Sequence, residues 1–195
     1  SNGNIFVLKE NGDVMKFNNQ GLSGVNVSSG SDNGAISMFV DTNEDIYTVS
    51  RNGTKVWKST SASDTASLLF QDDNLHFPNS ITVDSNGNVY VSGQNQQVLK
   101  WTKSTSSLAD LGIGSGSRAI FINSSGNLLV ANDATSLSEK NAKITSYTIN
   151  NDGSLNTNGN IVFTQEPSLD NYYMGISSII VDSFENLFIA VGKDA

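Results

Sequence analysis

Asp84-Ser-Asn-Gly-Asn88 sets oxygen-bearing side chains at alternate positions, which is how a calcium loop begins. Such a loop needs a bidentate acid to close it. Position 95 is Asn and no Glu stands nearby. Asp41, Asn123 and Asp182 head equivalent phrases, and a tight turn recurs where a metal site need not. The expected role of Asp84 is therefore a turn cap, with no metal and no other cofactor. Gly112-Ile-Gly-Ser-Gly-Ser117 is glycine-rich like a phosphate loop, but it lacks the following Lys and has no helix to open. It reads as a connection between two strands. His76 is the single histidine. A nucleophilic triad needs a positioned Ser beside its His, and the chain has no Gly-x-Ser-x-Gly elbow. No catalytic residue is expected. Gln165–Gly175 holds the adjacent Tyr172 and Tyr173 with acids close by. Aromatic rings beside carboxylates suit a peptide or glycan. Packing of both rings between sheets is the plainer alternative.

The elements that would position these residues follow from an internal repeat. SITVDSNGNVYVSG at 80–93 returns as RAIFINSSGNLLVAN at 118–132 and SSIIVDSFENLFIAV at 177–191. SMFVDTNEDIYTVS at 37–50 is a variant, and the chain opens part-way into another copy, SNGNIFVLK at 1–9. The last turn residue marks the copies at Asn4, Asp45, Asn88, Asn127 and Asn186. The spacing is about 40 residues, as in propeller blades. The final interval is longer because of extra residues at 132–141 and 150–160.

Each copy predicts two alternating strands joined by a turn of Asp, Ser, Asn and Gly. A third strand ends in an aromatic: Val14–Phe17, Lys55–Trp57, Val98–Trp101 and Ile144–Tyr147. A weaker fourth covers Ser67–Phe70, Ser107–Asp110 and Asn160–Phe163. No segment carries a helical apolar stripe. Four short antiparallel strands per unit define a blade, which must stack on its neighbours to cover its faces. The expected fold is an all-β, β-propeller array of four-stranded antiparallel blades. About five units are predicted, near 1–34, 35–78, 79–117, 118–175 and 176–195, the first and last incomplete. Residues 1–195 then form one propeller domain or a piece of a longer one. Alternatively, 179–182 supplies the inner strand missing from the first blade. Without closure, open blade edges invite pairing with another copy, hence a homo-oligomer.

Phe77-Pro-Asn-Ser-Ile-Thr-Val-Asp-Ser-Asn-Gly-Asn-Val-Tyr-Val91 resembles the repeat phrase of the NHL family. The likeness is moderate at 118–132 and 177–191 and partial at 37–50, where Glu44-Asp45 replaces Gly-Asn. It implies a propeller of about six blades, related to the lactonase and gluconolactonase group, with ligands taken at the mouth of an axial channel. On that view the segments leading into the inner strands carry the ligand: His76, Phe77, Asn79, Arg118, Tyr172 and Tyr173, with Asp32 on the same face. Tyr147-Thr-Ile-Asn-Asn-Asp-Gly-Ser-Leu155 resembles wording common in lactonase propellers. Gluconolactonases, however, hold a metal with Glu, Asn and Asp at the inner-strand ends, where this chain offers only Asn79. The streptogramin lyases use more than one His.

Composition narrows the function. The 195 residues contain no Cys, so disulfides and thiolate sites are excluded. The net charge of −8, with 11 Lys and Arg against 19 acids, argues against a nucleic-acid partner. No apolar run reaches the roughly 20 residues of a membrane helix. Low charge content with abundant Asn, Ser and Thr favours an extracellular, periplasmic or envelope location. The expected function is a non-catalytic binding or scaffold module recognising a protein, peptide or glycan. Enzyme activity of the lactonase or streptogramin-lyase kind is the alternative, its remaining residues lying in further blades.

Overall fold

The computed structural model describes residues 3–18, 20, 24–29, 34–50, 53–75, 77–93, 98–114, 117–132, 142–165 and 174–193. Their strands form five antiparallel sheets. The first holds β1 (Ile5–Leu8), β2 (Val14–Phe17) and β3 (Val25–Ser28). The second holds β4 (Ala35–Val40), β5 (Ile46–Ser50), β6 (Lys55–Ser59) and β7 (Ser67–Gln71). The third holds β8 (Pro78–Val83), β9 (Val89–Gly93), β10 (Val98–Thr102) and β11 (Ser107–Asp110). The fourth holds β12 (Ser117–Ile122), β13 (Asn127–Asn132), β14 (Lys143–Thr148) and β15 (Asn160–Thr164). The last holds β16 (Met174–Val181) and β17 (Leu187–Lys193). Strands follow sequence order in every sheet, so each sheet is a meander, the blade of a β-propeller. The first and last blades are incomplete. Among the described residues the sheet of β1 has three strands, and β16 pairs with β17.

The inner hairpins owe their register to the turn Asp. Asp84 Oδ1 accepts the backbone N–H groups of Asn86 and Asn88, each at 2.9 Å, and Oδ2 accepts the Asn88 amide at 2.8 Å. Asp182 repeats this with Phe184, Asn186 and the Asn186 side chain. Asn123 retains the bond from Asn127 N at 2.8 Å. The cap meets the turn's own donors, as the sequence phrase predicts. The next-to-last turn position is left-handed in each copy: Gly3 at φ 68°, Glu44 at 61°, Gly87 at 81°, Gly126 at 78° and Glu185 at 63°. Glycine takes this conformation freely and glutamate does not.

The chain divides into two compact units, Ser1–Ile81 and Thr82–Ala195. In the first, β3 leans on the β6–β7 turn. Ser29 N donates to Asp64 O at 2.8 Å, Ala66 N donates to Ser29 O at 2.7 Å, and Ser59 Oγ donates to Ser28 Oγ. In the second, the sheet of β12–β15 is covered on both faces. Leu128, Val130, Ile120 and Tyr147 pack with Tyr90, Val98 and Ile113. Leu129, Ala131, Ala119 and Ile144 pack with Ile176 and Ile179 of β16. Successive β13 side chains go to opposite faces, so double burial demands the unbroken apolar run Leu-Leu-Val-Ala. Burying each such side chain stabilises by about 1.5–3 kcal/mol. Leu128→Ala would cost about 2–5 kcal/mol, and it sits where a third-strand ring, Tyr147, completes the layer. The other face of the last sheet is bare: Ile180 is 56% and Phe188 55% exposed.

Candidate functional site at the inner-strand starts

The first residues of the inner strands share a local irregularity. Pairing slips by one residue between Ala35 and Ser37, between Ser117 and Ala119, and between Ile176 and Ser178. The bulged residues are Ile36, Arg118 and Ser177, equivalent positions of three blades. A bulge leaves its residue out of the ladder and re-aims the side chain, and bulges are common beside binding sites. Arg118 is exposed at this point, the second residue of β12. Asn79 is the second residue of β8 and half-buried. Phe77, just before β8, has φ 45° and is 48% exposed. An exposed aromatic held in a left-handed conformation is costly on two counts, and such strain gathers at ligand-handling segments. Phe77 and Asn79 belong to the first unit and Arg118 to the second. His76, Tyr172, Tyr173 and Asp32 lie outside the described residues, as do 133–141 of the expected insertion.

Two groups at this end escaped the sequence reading. Ser50 Oγ and Asn132 Oδ1 are buried and have no hydrogen-bond partner among the described residues. Each closes its second strand, Ser50 opposite Ala35 and Asn132 opposite Ser117. Buried polar atoms are seldom left unpaired, because the desolvation cost is about 1–3 kcal/mol. The sequence signal was a polar residue closing a largely apolar strand.

The opposite, turn end is electrostatically settled. Lys58 Nζ pairs with Asp45 at 2.8 Å and lies 4.9 Å from the centre of the Tyr47 ring. Burial pulls the Lys58 ammonium down, but its bonds to Asp45 and Tyr47 outweigh this and leave it above the usual lysine value. Burial, reinforced by the charge of Asp84, pushes the Tyr90 phenol far above its ordinary value. Lys100 donates to Gly153 O and faces the Tyr90 ring, so this cation is already engaged at the margin of a groove of about 550 Å³. No group of three or more acids or histidines that could hold a metal occurs among the described residues. The Gly112–Ser117 connection joins β11 to β12, and no helix follows it.

A family profile described as a β-propeller repeat matches residues 71–94, from the end of β7 through β9. No curated protein sequence matches the chain. Among solved structures, a chain of the nidogen/laminin complex superposes with a TM-score of 0.72 at 15% identity, covering 97% of this chain and 70% of that one. An auxiliary nutrient binding protein from Bacteroides thetaiotaomicron VPI-5482 gives 0.69 at 14% identity, covering 97% of this chain and 50% of the other. A streptogramin B lyase gives 0.60 at 14% identity, covering 100% and 77%. With the meander sheets, these similarities define the class: a β-propeller. At such identities they carry the fold alone.

Proposed function

We propose that this chain is a non-catalytic, NHL-like β-propeller binding module that takes a protein, peptide or glycan at the inner-strand starts. The observation that carries the reading is the bulge repeated at Ile36, Arg118 and Ser177, which sets one residue outside the ladder's pairing near the start of each of three inner strands. The exposed, left-handed Phe77 supports it, as do the Ser50 and Asn132 atoms that lack a partner among the described residues. In this reading His76, Phe77, Asn79, Arg118, Tyr172 and Tyr173 contact the ligand. The net charge of −8 suits a neutral or basic partner rather than a nucleic acid. A place outside the cytoplasm is supported by the low charge content and the abundant Asn, Ser and Thr. The bare apolar face of the last sheet supports association with a second copy.

The test is a peptide array and a glycan array probed with the full chain and with Arg118→Ala and Phe77→Ala. Loss of captured signal by about tenfold in both variants, corresponding to about 1.4 kcal/mol each, with unchanged circular dichroism, is the expected result. A ligand whose capture ignores both substitutions overturns the assignment. The likeness to a streptogramin B lyase favours a second reading, an enzyme of the lyase or lactonase kind. Turnover of a streptogramin B or an aldonolactone by the purified chain would establish it.

A further inference from the structure

We propose that a second, separate groove, at the turn end of the first two sheets, binds a neutral saccharide. It encloses about 600 Å³. Phe6 and Val40, both half-buried, form an apolar wall. Asn4, Thr42, Asn43 and Ser61 supply amides and hydroxyls, and Asp41 supplies a carboxylate. β4 runs from Ala35 to Val40, so this groove lies at the opposite end of the strand from the bulge at Ile36.

The carboxylate is distinctive. Asp41 Oδ1 caps its turn, accepting Asn43 N at 2.8 Å and Asp45 N at 2.9 Å. In the turns of Asp84 and Asp182 the second oxygen is filled by the amide of Asn88 or Asn186. Here Asp45 stands in place of that Asn and turns to Lys58 instead. Asp41 Oδ2 accepts no hydrogen bond from any described residue. One substitution in the repeat therefore leaves a charged acceptor open where the other copies close it.

The rest of the wall is fixed and largely neutralised. Glu44 is held by Asn4 at 2.9 Å and by Lys16, while Asp45 is paired with Lys58. One uncompensated carboxylate beside a ring, amides and hydroxyls matches a sugar. Vicinal hydroxyls donate to the carboxylate, C–H groups lie against the apolar wall of Phe6 and Val40, and amides meet the remaining hydroxyls.

Titration calorimetry with cellohexaose, xylohexaose, laminarihexaose, maltohexaose and chitohexaose tests the assignment. At least one is expected to bind. Asp41→Asn should weaken that binding about tenfold. It keeps the cap, because Asn123 already caps its own turn through Oδ1. Phe6→Leu should weaken binding similarly while keeping the wall apolar. A tenfold rise in salt should change affinity by less than about twofold, since the ligand carries no charge. Arg118→Ala should leave this affinity alone, which separates failure here from failure of the site at the inner-strand starts. The assignment is overturned if none of the five binds, if both groove variants bind as the parent does, if binding collapses with salt as for a cation, or if Arg118→Ala abolishes it.

Discussion

Glu185 accepts a hydrogen bond at 2.7 Å from the side-chain amide of Asn123, the residue that heads the corresponding turn one blade earlier. Glu44 likewise accepts at 2.9 Å from the side-chain amide of Asn4, the last residue of the turn one blade earlier. Both glutamates occupy the left-handed turn position that Gly87 and Gly126 fill in the other copies. Glu185 also accepts from Ser124 and Ser125, and Glu44 from Lys16. Where glycine is replaced, the new side chain ties its blade to the preceding one, which offsets the backbone strain.

That balance can be separated at position 44. Glu44→Ala keeps the unfavourable φ and loses the tie; Glu44→Gly loses both. Glu44→Gly should be more stable than Glu44→Ala by about 1 kcal/mol, the left-handed cost of a β-carbon. Urea unfolding of both variants measures the difference, and equal midpoints would show that the turn carries no strain.

Acid should loosen the first unit. The hydrogen bond from Lys16, then that from Asn4, holds the Glu44 carboxyl below its ordinary value of 4.5. The unfolded chain therefore binds the proton more readily. The stabilisation is complete above the ordinary value and is lost as pH falls through the lower folded value. Unfolding midpoints followed from neutrality into acid should drop less steeply for Glu44→Gln than for the parent.

Alkali should act on the buried phenols. Burial raises Tyr90, Tyr47 and Tyr147 above the ordinary value of 10.0. A raised acid favours folding below its unfolded value, and that contribution disappears as pH climbs through the folded one. Absorbance titration should show at most two of the five tyrosines ionising in the ordinary range while the fold persists. Tyr90→Phe removes the 3.1 Å bond to Asp84 and should cost about 1.5–3 kcal/mol in urea unfolding.

Gly159 approaches the β14 surface closely. A β-carbon there would stand 2.6 Å from Tyr147 Cε1 and would also strike Thr145. Tyr147 is a core ring and cannot yield freely. Gly159→Ala should destabilise by about 1–3 kcal/mol, seen as a lower melting temperature; an unchanged transition would mean that β15 shifts without penalty.

The exposed face of β16 and β17 should drive self-association. Ile180 is 56% and Phe188 55% exposed, and the two are cross-strand partners. Sedimentation velocity of the 195-residue chain should reveal a species larger than the monomer, and Phe188→Lys should shift it to monomer. A parent that stays monomeric at high concentration would remove this expectation.

The strands were legible because repetition supplied several independent readings of each boundary. Val14–Phe17 and Ser107–Asp110 form strands over the very residues that the pattern marked. The capping role of Asp84 followed from Asp or Asn recurring at one place. The bulges were not legible, since Ile36, Arg118 and Ser177 share no chemistry and a bulge depends on the partner strand. Nor was the tie from Glu185 to Asn123 legible, because local pattern says nothing of what a side chain reaches in the next repeat. Its trace was glutamate standing where sister copies have glycine. Among the proposed contact residues, Phe77 gained an observation that composition could not give, its positive φ.

A bulged residue contributes nothing to the hydrogen-bonded register, so its identity is insulated from folding. An aliphatic chain, a guanidinium and a hydroxyl already share this one address in Ile36, Arg118 and Ser177. Selection can therefore rewrite the chemistry at that strand position copy by copy while the framework beneath stays in step.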